Sequence, residues 1–397
     1  MSWKSVALGD VCSIINGGTP KSEVADYWGG ELNWITPKEM GKLKSREISV
    51  TERKITDKGI KNSSAKLLPI NSVILSSRAP IGHLAINKSL MATNQGCKGL
   101  VPFEALNYEY LYYFLSYSKQ LLNDMGSGAT FKELSSSKLA TVEIPLPPLS
   151  IQKEIVSKLD AIFIEIEKAI VATDANAKNS EALFQSYLEK IFEFQGDNWV
   201  TSKLKDVCEK ITDGTHQTPT YFDEGVIFLS SKNVTTGKID WDRVKYIDSK
   251  QHIEMSKRVS PKIGDVLLAK NGTTGVAAMV DKPVVFDIYV SLALLRAKEQ
   301  ILPQLLLYFV NSPVAKKQFN SRLKGIGVPN LHLQEIREVE ISFPKSLDKQ
   351  RELILRIESF LDLTSLQHVR YKNKKNEISK LKQSILKQAF TGELVKE

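Results

Sequence analysis

The stretch GDVCSIINGGT, beginning at Gly9, returns as KDVCEKITDGT at Lys205. A chain that writes one segment twice, about half its length apart, is constrained to use one module twice if the rest repeats too. The rest does. Trp3, Leu8, Asp10, Val11, Cys12, Ile15, Gly18 and Thr19 align without a gap on Trp199, Leu204, Asp206, Val207, Cys208, Ile211, Gly214 and Thr215. INSVILSSRAPIG from Ile70 parallels IGDVLLAKNGTTG from Ile263, and VEIPLP from Val142 parallels VEISFP from Val339. LYYFL at Leu111 matches LLYFV at Leu306, QKEIVSKL at Gln152 matches QRELILRI at Gln350, and LFQSYLEKIF at Leu183 matches LKQSILKQAF at Leu381. The offset drifts only from 193 (Ile70 to Ile263) to 198 (Gln152 to Gln350). Blocks that keep their order this long indicate duplication.

Each copy has two parts. The first mixes short β-like runs (residues 72–76 and 142–146) with Gly, Pro and Asn turns and a helix-like apolar stretch over residues 108–122. It reads as a compact α/β domain. The second reads as one long helix. Ile155, Leu159, Ile162, Ile166, Ala169, Leu183 and Tyr187 recur in steps of four and three, the seam of a coiled coil. Ile354, Ile357, Leu361, Thr364, Tyr371, Ile378, Leu381 and Ile385 repeat that seam near the end of the chain. The proline-rich PLPPL explains where the central helix starts, and Ser150 stands where a cap would. Both helices turn polar in the middle, at residues 173–180 and 369–377. At about 1.5 Å per residue each would span roughly 60 Å. A helix with one apolar stripe needs cover, and each is the other's nearest cover. The expected division is a domain over 1–148, a central helix over 149–195, a second domain over 196–345 and a C-terminal helix over 346–397. The fold class is α+β: two similar α/β domains separated by two long antiparallel helices, with pseudo-two-fold symmetry.

Charge follows the same division. Residues 1–148 hold 17 basic and 13 acidic side chains, and residues 196–345 hold 21 and 17, so each domain carries +4. The central helix carries −3 (5 basic, 8 acidic) and the C-terminal segment +4 (11 basic, 7 acidic), which favours their pairing. A net charge of +9 suits a polyanionic partner without requiring one. Cys12, Cys97 and Cys208 are scattered and suggest neither a disulfide framework nor a zinc site. No apolar run reaches the roughly 18 residues of a membrane span, and the start MSWKSVALGD lacks the apolar stretch of a signal peptide. The expected setting is cytoplasmic, with no membrane partner.

The motifs of catalysis are missing from this sequence. A DNA amino-methyltransferase needs a Gly-rich cofactor loop and an Asn/Asp-Pro-Pro-aromatic tetrapeptide. The one Pro-Pro pair is Pro147–Pro148, with the wrong flanks. GIGVPN from Gly325 lacks the third glycine of a dinucleotide loop. No catalytic residue, metal site or cofactor site is expected in the chain.

What recurs is the apparatus of phosphate and base contact: amides and hydroxyls interleaved with lysine and arginine. In the first copy, residues 16–28 bring Thr19, Lys21, Tyr27 and Trp28 into one loop, and Lys38 follows in ITPKEM. Ser77 and Arg78 stand at the end of an expected strand. Asn94, Gln95 and Lys98 share the turn ATNQGCKG, and Lys132 closes GSGATFK. Amide side chains such as Asn94 and Gln95 can bond an adenine edge twice. The second copy offers Thr215, His216 and Gln217, then Lys232 and Asn233, then Lys270, Asn271, Thr273 and Thr274, then Tyr289 and Asn330. Framework letters match between copies while loop letters mostly differ, which suggests two readers for two half-targets.

These blocks together resemble the DNA-specificity subunit of type I restriction–modification systems, over essentially the whole chain. The residues that carry the resemblance are GGTPKSEVADYWGGELNWITPKEM (17–40), INSVILSSRAPIG (70–82), ATNQG (92–96), IPLPPLSIQKEIVSKLD (144–160) and LKQSILKQAFTGELV (381–395). The resemblance implies two target-recognition domains, each reading one half of a split asymmetric site on double-stranded DNA. It implies helices that set the spacing and dock two methyltransferase subunits, which nuclease-translocase subunits can join. It places S-adenosylmethionine in the methyltransferase partner, which methylates the exocyclic amine of adenine. Two departures stand out: the central helix ends IFEFQGDNW where the C-terminal copy has AFTGELV, and LSIQ and LDKQ replace a frequent Glu-Gln at the helix starts. The alternatives of other classes are a self-contained methyltransferase or nuclease, which would bind S-adenosylmethionine alone, and a coiled-coil adaptor, which would leave the polar loops without a use.

Overall fold

The computed structural model describes residues 3–78, 80–128, 132–272, 274–322 and 330–395. The chain divides into two compact units, Met1–Thr173 with Asn373–Glu397, and Asp174–Lys372. Each unit therefore holds one α/β domain and parts of both long helices, Leu149–Glu193 and Leu347–Thr391.

In the first unit a five-stranded sheet runs in the order Cys12–Asn16, Cys97–Pro102, Val73–Ser77, Ile81–Asn87, Glu47–Ile48. A three-stranded sheet places Trp28–Ile35 between Arg53–Ile55 and Met91–Thr93. A pair, Ser5–Ala7 with Glu143–Pro145, closes the domain next to the helix. The second unit repeats this. Cys208–Asp213, Leu292–Ala297, Val266–Ala269 and Ala277–Met279 form a four-stranded sheet. Val226–Leu229 lies between Lys245–Ile247 and Phe286–Ile288, and Trp199–Lys203 pairs with Glu340–Pro344. Among the described residues only the counterpart of Glu47–Ile48 is missing.

The duplicated letters are the duplicated core. Leu8, Val11 and Cys12 are buried in one unit, as Leu204, Val207 and Cys208 are in the other. Burial pushes the thiols of Cys12, Cys97 and Cys208 up to about 12. The apolar stretch after Asn107 is two helices, Tyr108–Tyr117 and Lys119–Met125, hinged at Ser118. Its second copy breaks at the same place, where Ser312 caps Pro313–Asn320.

The helix seams match the spacing at their ends and depart from it within. In the first unit Ile155, Leu159 and Ile166 share a core with Ile385, Leu386, Ala389 and Phe390. In the second, Leu188 and Phe192 share one with Ile357, and Tyr187 packs on Phe360 with ring centroids 4.3 Å apart. Early residues of one helix meet late residues of the other in both units, so the packing is antiparallel. Leu183 and Leu381, expected in the seam, are each 51% exposed. A straight helix drifts about 20° per heptad against a 3.5 repeat, so in the second unit the seam passes to Phe184, Tyr187 and Leu188. Thr173 and Ser180 are buried in the polar middle of the central helix and return their hydroxyls to the carbonyls of Ala169 and Asn176. The central helix begins at Leu149, so Ser150 lies inside its first turn rather than capping it.

One glutamine per unit anchors domain to helix. Gln152, fully buried, donates to the carbonyls of Ala105 (2.9 Å) and Pro147 (2.8 Å) and accepts from the Asn107 amide (2.8 Å). Gln350 does the same with Gln300, Pro344 and the Leu302 amide, each at 2.9 Å.

Candidate nucleic-acid interface

In the first unit the strand Cys12–Asn16 ends opposite Lys98. The chain then passes so close to its neighbour that only glycine fits: a Cβ on Gly17 would stand 1.9 Å from the Asn94 carbonyl oxygen. The Gly18 amide donates to the Thr93 carbonyl at 2.9 Å. This crossing delivers Thr19 to Gln95, where its hydroxyl donates to Oε1. Asn94 Oδ1 accepts from the Gly96 amide at 3.0 Å.

Arg78 leaves the end of Val73–Ser77 and bridges Glu133, with Nη1 3.7 Å from Oε2. Arg78, Asn94 and Lys38 line one cleft of about 500 Å³, together with Arg53. A second cleft of about 570 Å³ opens between Asn16, Lys98, Glu133 and Ser135–Ser137. Lys98 is only 6% exposed and donates to Asn16 Oδ1 at 2.7 Å. Burial holds its ammonium below the ordinary lysine range, with Arg78 adding repulsion and Glu133 opposing it. Ser77 is fully buried.

The second unit carries the same frame with other side chains. A bulge between Cys208 and Lys210 adds one residue to its first strand. As a result Asp213 takes the place of Asn16, and Gly214 the place of Gly17, with a Cβ on it 1.8 Å from the Ile288 carbonyl oxygen. Thr215 then donates to Ile288 at 3.0 Å, as Gly18 does to Thr93. The ungapped alignment of Gly18 on Gly214 is thus one residue out of structural register. Lys270 sits where Ser77 does and Ala293 where Lys98 does, by their strand pairing. Each unit therefore keeps one buried lysine at this spot but reaches it from a different strand. Lys270 Nζ meets Asp213 Oδ2 at 2.5 Å. Arg258 also bonds Asp213, and His216 Nε2 lies 3.3 Å from it. Burial pushes the Asp213 carboxyl up, but Lys270 and Arg258 outweigh it and hold it below the usual range. Asn271 bridges Asn330 where Arg78 bridges Glu133. The Oδ1 atoms of Asn271 and Asn330 are buried and unpartnered among the described residues.

Other expected residues have internal roles. Trp28 donates its indole N–H to the Lys21 carbonyl at 3.2 Å, and Arg53 lies 3.9 Å above its ring, so its face is already covered. Lys21 and Lys132 are exposed and Tyr27 half-buried, and none of the three lines the 500 Å³ cleft. Lys232 is exposed on the short turn Ser231–Asn233, but Asn233 is buried, capping that turn and donating to the Arg243 carbonyl at 2.9 Å. Gln217 is exposed beside Thr215, the Thr274 hydroxyl returns to the Lys270 carbonyl, and Tyr289 OH lies 3.4 Å from the Thr218 hydroxyl. Thr273 lies outside the described residues.

Two ring-stacked cations escaped the sequence reading, as did Arg258 beside Asp213. Arg53 packs on Trp28 and Trp34, and its counterpart Lys245 lies 3.7 Å from the Tyr221 ring centre. Only strand register brings these pairs together, so no local spacing announces them. Among the described residues no group of His, Cys, Asp and Glu could hold a metal ion, and no helix is long and apolar enough to cross a membrane.

The two units are thus copies of one frame, with different polar side chains at equivalent points. The chain belongs to the family of the type I restriction modification DNA specificity domain, whose family model matches residues 1–173 and 196–379. It is 32% identical over 257 residues to the type I restriction enzyme MjaIX specificity subunit of Methanocaldococcus jannaschii, a match covering 59% of each chain. It is 22% identical to the MjaVIII specificity subunit of the same organism over 99% of this chain and 93% of that one. The fold matches a chain solved in work on complex assembly and conformational transition of the type I R-M system (TM-score 0.75, 20% identity, 99% and 98% coverage). It also matches the HsdS subunit from Thermoanaerobacter tengcongensis (TM-score 0.58, 19% identity, 99% and 97% coverage).

Proposed function

We propose that this chain is the non-catalytic, sequence-reading subunit of a type I restriction–modification complex. Residues 1–148 and 196–345 each read one half of a bipartite asymmetric site on double-stranded DNA. The helices over 149–195 and 346–397 set the spacing and dock two methyltransferase subunits, which bring S-adenosylmethionine and the chemistry; nuclease-translocase subunits join that assembly. One observation carries the reading. At equivalent backbone positions the first unit presents Arg78 with Glu133 and the second Asn271 with Asn330. The buried frame is kept while the side chains at these matched positions differ, as two readers of unlike half-sites need. Donors such as Arg78, Lys38 and Asn94 suit base-edge acceptors and phosphates.

The test is selection from random duplexes by the chain assembled with its methyltransferase, followed by mapping of methylated adenines. A split site with two unrelated halves is expected. Methyl transfer by the chain alone, or binding that ignores sequence, would overturn the proposal.

A further inference from the structure

The two units end their helices differently. In the first, Gly392 turns the chain back in the left-handed conformation (φ 81°), and the amides of Glu393 and Leu394 both donate to the Gln388 carbonyl. Leu394 and Val395 then fold onto the cluster that holds Trp3, Leu146 and Ile155. Lys158 fixes the turn by donating to the Leu394 carbonyl at 3.3 Å. The groove between helix start and helix end is filled by the chain itself.

In the second unit the matching helix end runs on as Phe194, Gln195, Gly196 and Asp197, so Gly196 and Asp197 stand where Leu394 and Val395 do. No aliphatic pair stands at these two positions. A groove of about 510 Å³ remains, with Ile191, Phe194, Trp199 and Leu353 along it and Lys190 and Arg356 beside them. Phe194 leans on Trp199 with ring centroids 5.2 Å apart yet stays 53% exposed. Arg356 is the counterpart of Lys158. Lys349 is paired with Glu352 at 2.9 Å, whereas neither Arg356 nor Lys190 has an ion-pair partner among the described residues. Asp197 is the remaining charge on the lining.

We propose that this open groove in the second unit receives a short segment of a partner polypeptide, with two aliphatic side chains following an acidic residue, the chemistry of Glu393-Leu394-Val395. The first unit supplies the argument for the occupant: the same site, built from the same positions, takes that sequence from within the chain. The aliphatic pair covers Trp199 and Leu353, Arg356 takes a backbone carbonyl as Lys158 does, and the excess of positive charge at the rim takes the acidic side chain. A second copy of this chain is a poor source, because its own Leu394 and Val395 are already packed in its first unit.

The probe is a fluorescently labelled peptide of sequence TGELVKE, titrated against the full chain. Saturable one-to-one binding is expected. It should weaken at least tenfold in Leu353→Asp and in Phe194→Ser, and several-fold in Arg356→Glu. A TGKLVKE peptide should bind more weakly to the unaltered chain. Phe194 and Arg356 are exposed side chains, so their variants should keep the parent melting temperature and retain duplex binding. No saturable binding, binding indifferent to these variants, competition by duplex DNA, or a concentration-dependent dimer lost in Leu353→Asp would each overturn the proposal. None of these outcomes depends on whether the chain reads a split DNA site, which is measured separately.

Discussion

The Asn107 amide donates to Gln152 Oε1 at 2.8 Å, and the Leu302 amide donates to Gln350 Oε1 at 2.9 Å. One glutamine in each unit joins the loop before a domain helix to the start of a long helix, and each makes three hydrogen bonds in full burial. Leucine at either place fits the volume and strands three backbone groups. Gln152→Leu should lower stability by about 3 kcal/mol, since each buried group left unpaired costs about 1–3 kcal/mol less what relaxation and water recover. Denaturant unfolding reads the loss. Hydrogen exchange locates it: the Asn107 amide should lose protection in Gln152→Leu, and the Leu302 amide in Gln350→Leu. Unchanged protection at both would show the glutamines to be bystanders.

The two sites predict a division of labour among their polar side chains. Arg78→Ala should relax discrimination in the first half-site alone, and Asn271→Ala in the second alone, each by about 1–3 kcal/mol against the wrong base. Arg53 and Lys245 are pinned on aromatic rings, a position that fits phosphate anchoring better than base reading. Alanine at either should weaken all sequences alike and reduce the salt slope of binding by about one. Site selection and salt titration of the four variants separate the cases. A change of base preference in Arg53→Ala would move that residue among the readers.

Asp213 links folding of the second unit to pH. Its carboxyl lies below the usual range when folded because Lys270 and Arg258 overcome burial. A depressed carboxylate contributes stability that is complete above its unfolded value of about 3.9 and is lost as pH falls from there toward the folded value. Unfolding of the parent chain should therefore become easier from about pH 4 downward, and Asp213→Asn should flatten that part of the profile. At neutral pH the same substitution leaves Lys270 buried beside a neutral partner and should cost about 3 kcal/mol. Parallel denaturant curves at pH 7, 5 and 3 test both. Equal slopes for the two proteins would remove Asp213 from the linkage.

The sequence made the repeated frame legible because burial is written in letters: Leu8, Val11 and Cys12 recur as Leu204, Val207 and Cys208, and all are buried. It also made the helix starts legible, since proline restricts the residues before it. What it hid depends on register. One extra residue at the Cys208–Lys210 bulge moves Asp213 onto the position of Asn16. That shift sets Lys270 against a carboxylate where Lys98 meets an amide. The stacking of Arg53 on Trp28 and Trp34 likewise joins residues whose only common ground is strand pairing. Leu183 and Leu381 misled for a geometric reason, because a heptad count carried through a polar stretch accumulates helical drift.

The duplication extends to the helix contacts, and this makes one copy able to complete another. In the first unit Leu159 shares a core with Leu386 and Phe390. Their counterparts in the central helix are Leu188 and Phe192, which pack in the second unit against Ile357, the counterpart of Leu159. A fragment ending near residue 195 retains Ile155, Leu159 and Ile166 without the cover of Ile385, Leu386, Ala389 and Phe390, and also retains Leu188 and Phe192. Two such fragments set antiparallel can match Leu159 of each with Leu188 and Phe192 of the other, an isologous pairing that satisfies both exposed seams at once. Ile191 in place of Ala389 adds bulk to the packing, and the central helix carries −3 in each copy, so repulsion replaces attraction. Raised salt should therefore strengthen the dimer, because roughly 0.5 M salt shortens the screening length to about 4–5 Å. Sedimentation should give a dimer, and with the methyltransferase present methylation should move to an inverted repeat of the first half-site. A fragment that stays monomeric at high concentration and high salt, or that methylates the original asymmetric site, would show that the second copy supplies something the first lacks.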